Sequence, residues 1–286
     1  MKVKLGLPSN LFANLSLEES IERIAELRPE ALEIVLDKPH LTPTDVLKPA
    51  LKHRLKDAVS ILNPEVEKSF HAPFQGVNLS AWGKRRLQSL KVLRESLHLA
   101  AELDGRVVVT HPGWASKILH FLPFTRSLAL NQALRLLKAS LKVLRAEAEN
   151  LGVKLALENV HGSLSPFKLP GDVGKIGETQ VTLDFGHAYI EARRLGFKAG
   201  EAERWLAGEV ENHLKGKVTH VHLHDSQGLR DSHLPPGEGE IDFKPLVEAL
   251  KRIDFEGQVI LEVWKPDTPA SSAIKALNEA RRILEI

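Results

Sequence analysis

Residues 218–240 read V-T-H-V-H-L-H-D-S-Q-G-L-R-D-S-H-L-P-P-G-E-G-E, and this stretch decides both fold and chemistry. Val218, Thr219, Val221 and Leu223 are β-formers, so the segment opens as a strand. His220, His222 and His224 fall at i, i+2 and i+4, which places three imidazoles on one face. Ser226, Gln227 and Gly228 then predict a loop, which carries Asp231 and His233 two residues apart before Pro235-Pro236-Gly237. Imidazole and carboxylate together are the donors of zinc, manganese or iron sites. A lone inward histidine most often packs a core, whereas a cluster at a strand end calls for a complement elsewhere in the chain.

The rest of the chain supplies that complement. Short apolar runs at 3–7, 31–36 (A-L-E-I-V-L), 67–71, 106–111 (R-V-V-V-T-H), 153–158, 180–184 and 258–262 read as seven further strands. The middle of 106–111 is wholly apolar, as a strand covered on both faces should be. Helical patterns lie between them. Ser16 and Glu19 form a capping box. A helix opens at Thr42 or Thr44 and runs to about residue 58. The pattern over 84–103 turns Leu87, Leu90, Leu93, Leu97 and Ala101 inward, and further helices are predicted over 128–151, 243–253 and 271–284. Eight strands alternating with helices predict an α/β fold, a (β/α)8 TIM barrel forming a single domain over residues 1–286. A doubly wound open sheet fits less well, because no glycine-rich fingerprint follows the first strand.

Composition narrows the class. With 43% hydrophobic residues the chain can bury a substantial core. The net charge of +2 neither demands nor excludes a nucleic-acid partner. The absence of cysteine excludes disulfides, thiolate metal sites and a cysteine nucleophile. No apolar run approaches a membrane span, and the N-terminus enters a strand at once, so a cytoplasmic protein is expected.

The predicted strand ends carry the chemistry. They fall at His71, His111, Glu158, Asp184, His222 and Glu262, with His187, Asp231 and His233 in the loops just beyond. In a barrel these positions meet on the C-terminal face, where active sites form. Taken singly, His71 could be a turn histidine, Asp184 a helix cap and Glu262 a partner for Lys265. Taken together, so many buried carboxylates and imidazoles need cations to neutralise them.

Several motifs then carry a resemblance. They are F-H-A-P-F at His71, V-V-T-H-P-G at His111, L-E-N at Glu158, L-D-F-G-H at Asp184 and His187, H-L-H-D-S at His222, R-D-S-H at Asp231 and His233, and L-E at Glu262. The chain resembles the xylose isomerase-like barrel superfamily (AP endonuclease family 2), which includes endonuclease IV and many sugar-phosphate isomerases and epimerases. The resemblance to endonuclease IV implies two or three divalent metal ions, with zinc first and manganese or iron as alternatives. His71, His111 and Glu158 would hold one. Glu158, Asp184, His222 and Glu262 would hold a second, and His187, Asp231 and His233 a third. This implies a metal-dependent hydrolase acting on abasic or damaged DNA, or on a related phosphorylated sugar. The resemblance to the isomerases and epimerases implies instead one metal on Glu158, Asp184, His222 and Glu262, with Glu158 and Glu262 as acid and base on a small sugar phosphate.

The substrate-facing segments depart from endonuclease IV. The first strand runs into L-P-S-N, and V-H-G-S-L-S-P-F-K-L-P follows Glu158-Asn159. Phe74, Trp114, Arg126, Arg230, Trp264 and Lys265 are the candidate substrate contacts, and residues 112–127 also bring Lys117, Phe121 and Phe124. These are either wedges and phosphate contacts for DNA or a lid over a sugar.

Overall fold

The computed structural model describes residues 1–122, 124–265 and 267–286, with their side chains except at 120 and 121. Ten strands occur among them: β1 (Lys2–Pro8), β2 (Ala31–Val35), β3 (Glu67–His71), β4 (Gly105–Thr110), β5 (Lys154–Glu158), β6 (Gln180–Asp184), β7 (Val218–Leu223), β8 (Asp225–Gln227), β9 (Arg230–Leu234) and β10 (Glu256–Leu261). Strands β1 to β7 and β10 pair in parallel and close into a barrel, with β10 joining β7 to β1. This is the single (β/α)8 barrel expected from the alternation of elements. The predicted loop after β7 is instead an antiparallel hairpin of β8 and β9. Gly228 takes the left-handed backbone conformation its turn needs.

Alternation along each strand sorts the interior. Leu32 and Ile34 of β2, and Val221 and Leu223 of β7, join the large apolar layer shared with the surrounding helices, which supply Ile21, Leu93, Leu137, Leu144 and Leu250. The alternate residues face the barrel axis. There a small apolar cluster of Val107, Val109 and Ala156 accompanies a column of Glu33, Ser69, Thr182, His220, His222 and Gln258. An all-apolar core would be simpler to stabilise, so this polar column points toward the barrel mouth above it.

Two helix predictions differ from the structure. The single helix opening at Thr42 or Thr44 is two, Pro43–Val46 and Pro49–Val59. Pro49 forces Lys48 into extended backbone (ψ 125°), which interrupts the first helix. Leu87 is exposed rather than buried. It lies about 120° around the helix Gly83–Glu102 from Leu93, off the stripe that meets the barrel.

The segment after β7 is held by one carboxylate. Asp225 is buried and accepts hydrogen bonds from the backbone N–H groups of Ser226 (2.8 Å), Gly237 (2.9 Å), Gly239 (2.9 Å) and Ile241 (3.1 Å). Gly239 is required, since a Cβ there would strike the Asp225 carboxylate. Asp231 and His233 ride on the loop that this clamp closes. Asp225→Asn removes the charge without changing shape, and should cost about 2–3 kcal/mol of stability in denaturant unfolding. Unchanged stability would show that the clamp is ornamental.

Candidate metal centre

The nine predicted donors gather at the C-terminal mouth of the barrel. Three of the predicted strand ends are off by one residue: β4 and β10 stop one residue before His111 and Glu262, and β7 runs one residue past His222. Glu158, 1% exposed, lies at the centre. Its Oε2 is 3.1 Å from Nε2 of both His71 and His111, and 3.6 Å from His222 Nδ1. Its Oε1 is 3.2 Å from His187 Nδ1. His222 Nδ1 also faces Glu262 Oε1 at 3.4 Å and Asp184 Oδ2 at 3.9 Å. Asp231 approaches His187 Nε2 at 3.4 Å and His233 Nε2 at 3.3 Å. The three groupings implied by resemblance are thus each drawn together in space.

Local structure aims these side chains. Asn159 exchanges two hydrogen bonds with the backbone of Asp184 (2.8 and 2.9 Å), adding a side-chain rung between β5 and β6. Asp184 caps the helix Phe185–Arg194 by accepting from the His187 N–H through Oδ1. The cap reading and the site reading of Asp184 therefore both hold, because its Oδ2 remains without a hydrogen-bond partner. Each imidazole has a front and a back. Nδ1 of His71, His187 and His233 lies 2.9–3.0 Å from the backbone carbonyls of Ala72, Asn159 and Glu262, and that of His224 3.5 Å from the Asp225 carbonyl. Such contacts leave Nε2 of His71, His224 and His233 facing the carboxylates, while His187 meets Asp231 through Nε2 and Glu158 through Nδ1.

Sequence reasoning missed four members of this constellation. His224 is fully buried, its Nε2 is 3.2 Å from Asp184 Oδ1, and its ring stacks on His233 at 4.0 Å. Its i+4 spacing from His220 was the available signal. Gly186 leaves the space that His224 fills, since a Cβ there would strike the imidazole. His161 lies 3.2 Å from Asp231, and Asn159 makes the rung described above. Glu33 lies behind His222, and a lone carboxylate in the apolar run A-L-E-I-V-L was its signal.

Charge balance governs the cluster. Burial would raise the Glu158 carboxyl, but the charges of His111 and His222 override it and hold the group well below the usual carboxylate range. Burial would likewise raise Asp184, which His187 and His224 bring down to about 2. Burial depresses the His71 imidazole, but its hydrogen bond to Glu158 carries it up to about 9. Donor chemistry and geometry both fit divalent cations. Within overlapping groups such as His71–Glu158–His222, Asp184–His224–Glu262 and His187–His224–Asp231–His233, the donor atoms lie within 4.8 Å of one another. Three buried atoms facing the cluster, Asp184 Oδ2, His222 Nδ1 and His224 Nε2, lack hydrogen-bond partners. Nitrogen and carboxylate oxygen suit zinc, manganese or iron.

A cavity of about 570 Å3 opens onto these groups. Phe74 and Trp264 stand on its wall, and Phe74 stacks on His111 at 4.8 Å. Trp114 lines an adjoining chamber of about 310 Å3. Of the described residues lining the cavity, none is Arg126, Arg230 or Lys265, so those three expected substrate contacts are not placed there. Lys265 pairs with Glu238 at 3.4 Å rather than with Glu262. Phe121 lies outside the described side chains. A larger depression of about 980 Å3 occupies the opposite end of the barrel, away from every one of the nine donors.

A closed (β/α)8 barrel with convergent imidazoles and carboxylates at the C-terminal ends of its strands defines a TIM-barrel enzyme. The chain belongs to the family of xylose isomerase-like TIM barrels, whose model matches residues 21–282. It is 30% identical to an uncharacterised protein of Methanocaldococcus jannaschii over 100% of this chain and 91% of that one. It is 26% identical to the 3-dehydro-D-guloside 4-epimerase of Escherichia coli over 63% of this chain and 64% of that one. Among solved structures it is similar to a D-tagatose 3-epimerase-like protein, with 28% identity, a TM-score of 0.79, and coverage of 99% of this chain and 98% of that one. No described helix is long and apolar enough to cross a membrane.

Glu191 anchors the wall beside the site. It accepts from the Gly162 N–H at 2.8 Å and pairs with Arg194 and Lys168. Burial raises its carboxyl, but the Gly162 bond and the Arg194 partner outweigh this and leave it below the usual range. A depressed folded value means the stability it adds is complete above the ordinary glutamate range and is lost as pH falls through the folded value. Glu191→Gln should therefore flatten the acid limb of a stability-versus-pH curve. An unchanged acid limb would show that the anchor carries no linked stability.

Proposed function

We propose that the protein is a divalent-metal-dependent epimerase or isomerase of a small sugar or sugar phosphate, with Glu158 and Glu262 as its acid and base. The observation that carries this reading is the placing of the two glutamates, one closing β5 and the other one residue past β10, each within 4 Å of His222 Nδ1. Both also line the cavity. The cavity's volume suits a small molecule. The similarity to proteins named as sugar epimerases supports this over the hydrolase expected from the endonuclease IV resemblance.

Glu158, Asp184, His222 and Glu262 would hold one cation, and His187, Asp231 and His233, joined by His224, a further one. The bound cation supplies Lewis-acid polarisation of a substrate carbonyl. Glu158 is held ionised by its imidazole neighbours. One glutamate removes the proton from the carbon next to the carbonyl, breaking C–H and forming the carboxylic acid. The electron pair passes to the carbonyl oxygen, giving an enediolate. A proton relayed from water through the other glutamate then reaches that carbon from the opposite face as the electron pair returns from the oxygen, which restores the carbonyl and inverts the carbon. Phe74 and Trp264 offer apolar walls for the sugar ring and limit the approach of water.

Zinc- or manganese-loaded protein, incubated in deuterated water with D-tagatose, D-fructose and their phosphates, should place deuterium next to the carbonyl of at least one of them. Glu158→Gln and Glu262→Gln should each slow this exchange by about 10²–10⁴-fold. Exchange that survives both substitutions would remove the glutamates from the chemistry, and no exchange with any of these ketoses would remove the reading. Metal content offers a separate check. Zinc-loaded wild-type protein should hold at least two cations, of which His222→Ala and Asp231→Ala each release a different one. Loss of all metal together in either variant would mean a single shared centre.

A further inference from the structure

We propose that Glu33 is a positioning residue: it grips His222 from behind and fixes the ring with Nδ1 toward Glu158, Asp184 and Glu262. Four other imidazoles of the centre, those of His71, His187, His224 and His233, have Nδ1 against a backbone carbonyl. His222 differs. Its Nε2 lies 3.3 Å from each oxygen of the Glu33 carboxylate. Its orientation therefore rests on a side chain, and one substitution can remove it.

The setting of Glu33 supports this role. It is fully buried at the middle of β2, between apolar neighbours. Among the described residues its ion-pair partners are His220 and His222 alone, with no lysine or arginine. A carboxylate so placed adds little to stability over an apolar residue of its size. It is steadied from below: His220 Nε2 lies 3.4 Å from Glu33 Oε2 and 3.2 Å from Ser69 Oγ. A serine, a histidine and a carboxylate from β3, β7 and β2 thus form a chain ending on His222. Glu33 accepts the Nε2 proton, which leaves the Nδ1 lone pair for a cation and makes it more basic. Without Glu33 either ring nitrogen can turn toward the carboxylates. The inference does not depend on the epimerase reading, since any cation-dependent reaction at this site needs His222 in this pose.

The test compares Glu33→Leu, Glu33→Gln and His222→Ala by zinc affinity, using competition with a chromophoric chelator. Glu33→Leu should weaken by about 10–100-fold the same class of zinc that His222→Ala abolishes, and leave the other class unmoved. Glu33→Gln keeps an accepting oxygen and should recover most of the loss. Long-range proton–nitrogen spectra of the zinc-loaded wild-type protein should show the His222 proton on Nε2. Wild-type zinc affinity in folded Glu33→Leu overturns the proposal, as does a His222 proton on Nδ1. The spectrum decides alone if the leucine variant does not fold.

Discussion

The mutual neutralisation of Glu158 and its imidazole neighbours is the interaction on which the mouth of the barrel depends. A carboxylate 1% exposed has no water to stabilise it. His71, His111, His187 and His222, from four different segments, supply what water would. An unpaired charge at this depth would cost several kcal/mol. Those segments can close only together, so the barrel and the donor cluster are one requirement. The arrangement also accounts for the polar column below. His222 faces Glu158 in front and Glu33 behind, and Glu33 draws His220 and Ser69 into the axis of the barrel.

Much of this was legible in the sequence because the barrel turns a one-dimensional regularity into proximity. His71, Glu158 and Asp184 close their strands, and His111 and Glu262 lie one residue beyond theirs. Strand ends of a parallel barrel share one face, so residues far apart in sequence meet there without any motif saying so. Glu33 escaped because it sits mid-strand, two residues short of the end of β2, and becomes intelligible only once β7 is known to cross from it. His224 escaped because its ring position depends on the missing side chain of Gly186. The hairpin β8–β9 reads as loop in the sequence, since its polar residues carry no apolar alternation. Leu87 shows the converse error, where a heptad-like spacing was followed one turn past the surface that buries it.

Substrate contacts were the least legible. Aromatic and basic residues near the mouth look alike in sequence, whether they turn into the cavity or away from it. Phe74 and Trp264 turn in, whereas Lys265 is drawn off by Glu238. That choice is made by partners distant in sequence. The fold and donor set can therefore be shared by enzymes of different activity, while the loops decide what enters.

The backbone carbonyls behind His71, His187, His224 and His233 have an evolutionary consequence. An acceptor that belongs to the main chain cannot be lost by point mutation, so these rings keep their aim whatever side chains their neighbours acquire. The loops above can then drift and explore new substrates without disturbing the centre beneath them. His222 lacks this insurance and rests on the Glu33 side chain instead, which makes the middle of β2 a place where inheritance has little freedom.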